Sequence, residues 1–396
     1  MEEAFFRTHA YLVAHANTRV RRNLMDEIDW NDRLIGIKGT RGVGKTTFLL
    51  QFAKEHFGAG DRKCLYVNMN NFYFQGNGIV EFAGDFVRNG GRVLLIDQVF
   101  KAPNWSNELR TCYDQYPELQ IIFTGSSVMR LKEENPELNG IVKSYNLRGF
   151  SLREFINLQG GFNLRSYTLD EILSNPNGII QEILSAANPS DYMDNYVHYG
   201  FYPFFLENRN FSENLLKTMN MMTEVDILLI KQMELKYLTK IKKLFYLLAK
   251  GGMRKPNITS LANAIETSRA TVMNYIKYLA DARLINIIYP QGEAFPRKPS
   301  KIMMHNPNLM YAIYPIEVDI QEIMETFFVN MLWKDHNVNQ GSTDKVFTVD
   351  GTHKFKVSNS IGTRKQKKGL GVINVLYNAK QGYGNQIPLW LFGFLY

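Results

Sequence analysis

Between residues 34 and 126 the chain alternates short, nearly unbroken apolar runs with stretches whose apolar residues recur at helical spacing. LIGIKG, KCLYVNM, RVLLID and LQIIFTGSS read as strands, and KTTFLLQFAKEHF, between the first two, reads as an amphipathic helix. Strands that lack an inside–outside alternation are covered on both faces, so the pattern predicts a parallel sheet flanked by helices. In RGFSLREFINL, Ser151 and Glu154 stand at capping-box spacing and mark a helix start. From 151 to about 230 the pattern is mostly helical, broken by GGFN, SNPNG, ANPSD and HYGFYPFF, and reads as a helical lid or connector.

From 236 the pattern changes again. YLTKIKKLFYLLAKGG is an amphipathic helix closing at Gly251 and Gly252. A second helix, a short turn at Glu266–Thr267 and a third helix capped by Ser268 follow. In that third helix Val272, Tyr275, Ile276 and Leu279 fall on the inward face, leaving Arg269, Ala270, Met273, Asn274 and Lys277 outward. Two strand runs joined by a basic, proline-containing loop complete the arithmetic of a winged helix. Arg269, Asn274 and Lys277, with Arg297, Lys298 and Lys301 of the wing, are candidate DNA phosphate contacts; the same fold also serves as a packing module. Beyond 316, KVFTVD, HKFKV and GVINVLY predict a small α/β domain, TRKQKK a solvated loop, and the closing IPLWLFGFLY a core strand or an interface.

Composition narrows the class. The 396 residues are 45% hydrophobic and 21% charged, as in an ordinary globular protein. No apolar run reaches the roughly 18–20 residues that span a bilayer, and MEEAFFRTHAYLV lacks a signal-peptide layout, so no membrane partner and a cytoplasmic location are expected. The two cysteines, Cys64 and Cys112, form no metal or redox spacing, and the seven histidines include no ligand-spaced pair. The net charge of +8 is compatible with a polyanion partner.

The chemistry concentrates in GTRGVGKTT, Gly39 to Thr47, which fits G-x-x-x-x-G-K-[ST] between a strand and a helix. In such a loop Gly39, Gly42 and Gly44 let the backbone N–H groups of Thr40, Arg41, Val43 and Thr47 curl toward phosphate oxygens at a helix N-terminus. Lys45 would reach the β- and γ-phosphates of ATP or ADP, and Thr46 would give a hydroxyl to Mg²⁺. Asp97, closing the apolar run Val93–Ile96 on what reads as a neighbouring strand, would hold the same Mg²⁺ through water, opposite Thr46. Thr124 and Ser126, at the end of the next strand, could bond the γ-phosphate or the attacking water, or simply cap a helix.

With DWNDRLIGIKGTRGVGKTTFLLQ, PNWSNELRTCYDQYPELQIIFTGSS, GFSLREF, HYGFYPFF, NPNLMYA and IPLWLFGFLY in place, the chain resembles prokaryotic AAA-type P-loop ATPases of the archaeal-ATPase kind, closest to a paralogous set common in Bacteroides-like bacteria. The resemblance runs nearly end to end. It implies an α/β fold: a P-loop parallel-sheet ATPase domain (1–150), a helical lid (151–235), a winged-helix domain (236–315) and a small C-terminal restriction-endonuclease-like α/β domain (316–396). The group usually has Asp-Glu where Asp97-Gln98 stands, an acid near Asn70 and Asn71, and paired arginines near Gly140 and Ile141. Lys356 stands where a nuclease strand would carry its acid, leaving Glu325 and Asp344 as poor metal ligands, so nuclease activity is not expected.

Glutamine can hydrogen-bond a water but cannot take its proton at neutral pH. The expectation is therefore an ATP- and Mg²⁺-binding switch that hydrolyses slowly or not at all. The alternatives are a competent ATPase, its base supplied by Glu108 or a partner subunit, and a DNA-binding regulator. An arginine finger in a homo-oligomer or with a protein partner would come from Arg130, Arg148 or Arg153.

Overall fold

Gly36 to Gly39 belong to a five-stranded sheet that the rest of the first unit is built around. The computed structural model describes residues 3–129, 131, 134–207, 210–228, 231–252, 255–315, 318–359, 371–382 and 384–396; Arg130 and the TRKQKK stretch lie outside them. Contacts divide the chain into Met1–Arg148 and Gly149–Tyr396.

In the first unit the helices are α1 (Glu3–Ala14), α2 (Leu24–Glu27), α3 (Lys45–His56), α4 (Ile79–Arg88) and α5 (Trp105–Gln115). The strands are β1 (Leu34–Gly39), β2 (Cys64–Asn68), β3 (Val93–Asp97), β4 (Gln120–Ser126) and β5 (Lys143–Asn146). They form one parallel sheet in the order β2-β3-β4-β1-β5. The parallel sheet is as the apolar runs predict, with one difference. Asp97 does not lie on a strand next to β1, because β4 is inserted between β1 and β3. Chain order alone cannot reveal that insertion; a crossover helix lets a strand enter the sheet at any open edge.

Phe48, Leu49, Phe52 and Ala53 of α3 bury one helical face against the sheet. At the sheet edge α1 covers β2, and His9 Nδ1 accepts the Tyr66 N–H at 3.0 Å. That bond satisfies an edge-strand donor that would otherwise face solvent. Burial lowers the pKa of His9, keeping the ring neutral and Nδ1 free to accept. Cys64 and Cys112 are free and buried, and burial pushes both thiols up to about 12.

The second unit begins with α6 (Leu152–Gly160), α7 (Leu169–Ser174), α8 (Pro176–Ala186), α9 (Ser190–Asn195) and α10 (Phe211–Met221). The Ser151–Glu154 capping box opens α6. Next come α11 (Leu238–Gly251), α12 (Ile258–Ala264) and α13 (Arg269–Asp281), then an antiparallel pair, β6 (Ile285–Ile288) and β7 (Lys301–Met304). After α14 (Pro307–Ile313) and α15 (Ile320–Leu332), the strands β8 (Val338–Gln340), β9 (Phe347–Val349), β10 (His353–Ser358), β11 (Val372–Leu376) and β12 (Gln386–Pro388) form a mixed sheet in the order β12-β11-β10-β9-β8.

The closing segment differs from the core strand expected of it. Only Gln386–Pro388 pair as a strand, and Leu389–Phe394 turn into a fully buried 3₁₀ helix. An apolar run buried on all sides carries no period that separates strand from helix. The three domains expected after 150 also share one core: Phe155 and Tyr196 from the helical segment, Met303 from β7, and Phe327, Phe355 and Phe392 belong to a single apolar cluster. No helix of the described residues is long and apolar enough to cross a membrane.

Candidate nucleotide site

Parallel pairing aligns the carboxyl ends of the central strands. Gly39 is opposite Ser126, Ile37 opposite Thr124, and Asn68 opposite Asp97. In open α/β sheets this rim is where ligands bind. The loop from Gly39 to Gly44 rises from β1 there and turns into α3 with Gly42 at φ 85° and Gly44 at φ 92°, a region that glycine enters without steric cost. Gly39 is required for a second reason: a Cβ on it would clash with the Leu147 carbonyl oxygen. Val43 is buried under the loop, and its carbonyl accepts from Arg22 Nη1 at 3.1 Å, while Arg22 Nη2 donates to Arg148 O at 2.7 Å. Arg22 thus braces the loop from below, a role that no motif signalled.

Lys45 Nζ donates to the Gly39 and Thr40 carbonyls at 2.8 Å each, so its ammonium folds back over the loop. Thr40 Oγ is buried with no partner among the described residues, while Arg41 and Thr47 are half-buried. Thr46 is exposed, and its hydroxyl donates to Asp97 Oδ2 at 2.7 Å, which brings the two expected Mg²⁺ ligands together.

Asp97 is 1% exposed and heavily bonded. Oδ2 also accepts from Tyr66 OH at 2.9 Å and Asn68 Nδ2 at 3.2 Å, and Oδ1 accepts from Thr124 Oγ1. Burial, then the neighbouring Asp97 charge, raise the Tyr66 pKa, so the phenol remains a donor. Gln98 follows in the left-handed region, φ 56° and ψ 48°, with its N–H donated to Thr124 Oγ1 at 2.9 Å. Thr124 is therefore a tether joining Asp97 to Gln98, fully buried, and its hydroxyl is spent on these two. Ser126 lies beside the loop, and its Oγ accepts the Val128 N–H at 3.4 Å.

Other expectations fall elsewhere. Glu108, the alternative base, accepts the Ile79 and Val80 N–H groups and so caps α4. Asn70 and Asn71 are exposed, and Asn71 caps the next turn through Tyr73 N; the polar residue of β2 that reaches the site is Asn68. Gly140 has φ 80°, a turn geometry that an arginine would enter only with strain. In the second unit, Arg153 donates to the Tyr396 and Leu164 carbonyls. Tyr66 and Asn68 were missed because a tyrosine and an asparagine on a strand are ordinary core and turn residues until the register is known.

The candidate nucleic-acid face is a separate feature of the second unit. Arg269, Asn274, Arg297 and Lys298 are exposed, and Lys277 Nζ lies 4.6 Å from the Phe295 ring centroid, joining α13 to the β6–β7 loop. Lys301 is a correction: it is buried in β7, 3.5 Å from Glu325, and cannot reach a backbone phosphate. Burial raises the pKa of Glu325 against the opposing pull of Lys301, and Gln321 donates to its other oxygen. Asp344 accepts from Gln340.

The residues at the rim fit a nucleotide with Mg²⁺. Thr46 and Asp97 are the hard oxygen donors that Mg²⁺ takes, Thr40 Oγ is a buried hydroxyl with no partner among the described residues, and α3 opens at Gly44 without a side-chain cap.

Residues 31–156 match the family described as AAA domain, so the chain carries an AAA-type P-loop ATPase domain. Residues 190–318 match a domain of unknown function, DUF8612. An uncharacterized protein of Methanocaldococcus jannaschii, MJ1637, is 27% identical over 302 residues, which is 72% of this chain and 63% of that protein. The chain thus spans under two thirds of that relative's length. Among solved structures, a RuvB variant of Thermotoga maritima is similar at 13% identity and a TM-score of 0.32, covering 76% of this chain and 92% of its own. The Aeropyrum pernix ORC1 protein in complex with DNA is similar at 12% identity and a TM-score of 0.31, covering 79% and 92%.

Proposed function

We propose that this protein is an ATP- and Mg²⁺-binding switch in which hydrolysis is slow. The observation that carries the reading is the Thr46–Asp97 hydrogen bond at the mouth of the glycine loop, with Gln98 rather than an acid next in the chain. Mg²⁺ held by Thr46 and Asp97 would supply positive charge to the phosphate oxygens. Lys45 exchanges its loop carbonyls for β- and γ-phosphate, and Thr40 finds the partner it lacks. Gln98 can orient a water by hydrogen bonding but takes no proton from it. Glu108, the alternative base within the chain, is committed to capping α4. Buried, unpaired Cys64 and Cys112 suit a reducing, cytoplasmic setting.

The test pairs binding with turnover. Lys45→Ala should weaken ATP binding about 10- to 100-fold, the loss of a charge-assisted phosphate contact, as read by calorimetry or a fluorescent nucleotide. Robust steady-state hydrolysis by the unaltered chain, abolished in Lys45→Ala, would sink the switch reading and favour a competent ATPase.

A second reading rests on the exposed Arg269, Asn274, Arg297 and Lys298 of the α13 and β6–β7 module, read as a winged helix that touches DNA phosphates. Duplex binding measured at two salt concentrations should weaken with salt, and Arg269→Ala with Arg297→Ala should reduce the salt slope by about two. Absence of salt-sensitive binding at low salt leaves the module a packing element.

A further inference from the structure

The strand register places a second pair of groups on the metal-binding carboxylate. Asn68 is opposite Asp97 across β2 and β3, and Tyr66, two residues earlier, lies on the same face of the strand. Both donate to Asp97 Oδ2, the oxygen that Thr46 also uses, while Thr124 takes Oδ1. Each oxygen of a carboxylate offers about two lone-pair sites, so the three donors on Oδ2 leave none open there, while Oδ1 receives Thr124. A cation that shares Oδ2 with Thr46 therefore reaches it only by displacing a donor. Thr46 is exposed and turns away easily; Tyr66 is 5% exposed, with its N–H held by His9.

We propose that Tyr66, assisted by Asn68, restrains Mg²⁺ occupancy by holding the Asp97 oxygen that a cation would share with Thr46, so that the metal is retained only when nucleotide phosphates help to hold it. The inference rests on the nucleotide reading above. Tyr66 is a positioning residue, acting through Asp97. Its removal returns to Asp97 a lone pair and the charge that one hydrogen bond offsets, which should tighten the metal about tenfold.

The experiment is a Mg²⁺ titration of fluorescent ADP-analogue binding by the full chain, with affinity in excess EDTA as the reference. Tyr66→Phe should lower the half-saturating Mg²⁺ about tenfold, and Asn68→Ala a few-fold in the same direction, with EDTA affinity within about twofold. Should Tyr66→Phe fail to fold, Asn68→Ala at its half-buried position carries the test. An unchanged or higher Mg²⁺ requirement, with EDTA affinity retained, overturns this inference and leaves the nucleotide reading standing. No nucleotide binding by the unaltered chain, with or without Mg²⁺, overturns both.

Discussion

Replacing Gln98 with glutamate should raise steady-state phosphate release by about 10²-fold or more, because a proton acceptor returns to a site otherwise built. The swap is nearly isosteric, and glutamate meets the same backbone at φ 56° that glutamine already occupies, so no new strain enters. The Gln98 N–H bond to Thr124 is a backbone bond and survives the substitution. The added charge lies next to Asp97, whose two oxygens already accept from four donors, and these offset the repulsion between neighbouring carboxylates. Single-turnover phosphate release separates this from a change in product loss. Nucleotide affinity should move only a few-fold. A Gln98→Glu chain that binds ATP yet turns over no faster than the unaltered one would show that something other than the missing base limits the reaction.

What could be read in advance of the structure follows from how local each signal is. The glycine loop was legible because four fixed positions, Gly39, Gly44, Lys45 and Thr46, carry it within eight residues, and β1 to β4 because buried parallel strands are unbroken apolar runs. β5 was not: Lys143–Asn146 is polar, at the sheet edge, with no fully buried residue, so nothing in KSYN marks a strand. The insertion of β4 between β1 and β3, and with it the meeting of Tyr66, Asn68 and Thr124 on Asp97, depends on sheet order and register, which are long-range properties. Glu108 was misread for the same reason; only the structure shows that α5 brings it to the start of α4. The inward face of α13 was legible to the residue, since Val272, Tyr275, Ile276 and Leu279 are all buried at the 3.6-residue period. Lys301 was not, because one strand residue in a basic loop looks solvated until its partner, Glu325, is seen.

Asn308→Ala should lower the unfolding midpoint of the second unit by about 10 °C, the larger stability effect expected of any single substitution considered. Two sequence stretches that carried no assigned chemistry, HYGFYPFF and NPNLMYA, meet at this side chain. Tyr196–Gly200 form a π-helical turn, whose wider ring departs from the ordinary helical hydrogen-bond ladder. Asn308, 1% exposed at the start of α14, donates through Nδ2 to the Tyr196 and Val197 carbonyls at 3.0 and 2.8 Å, and its Oδ1 accepts the Phe201 N–H at 3.0 Å. An amide is the one side chain of this size with two donors and an acceptor to match. Truncation strands three buried backbone groups at about 1–3 kcal/mol each, so a loss of roughly 3–5 kcal/mol is expected after relaxation. Asn308→Asp separates chemistry from shape: it keeps the volume but removes both donors and sets a charge against two carbonyls, and should cost at least as much. Thermal denaturation followed by circular dichroism reads both variants. Midpoint shifts under about 2 °C in the pair would mean that the turn finds other partners and that Asn308 is not what fixes it.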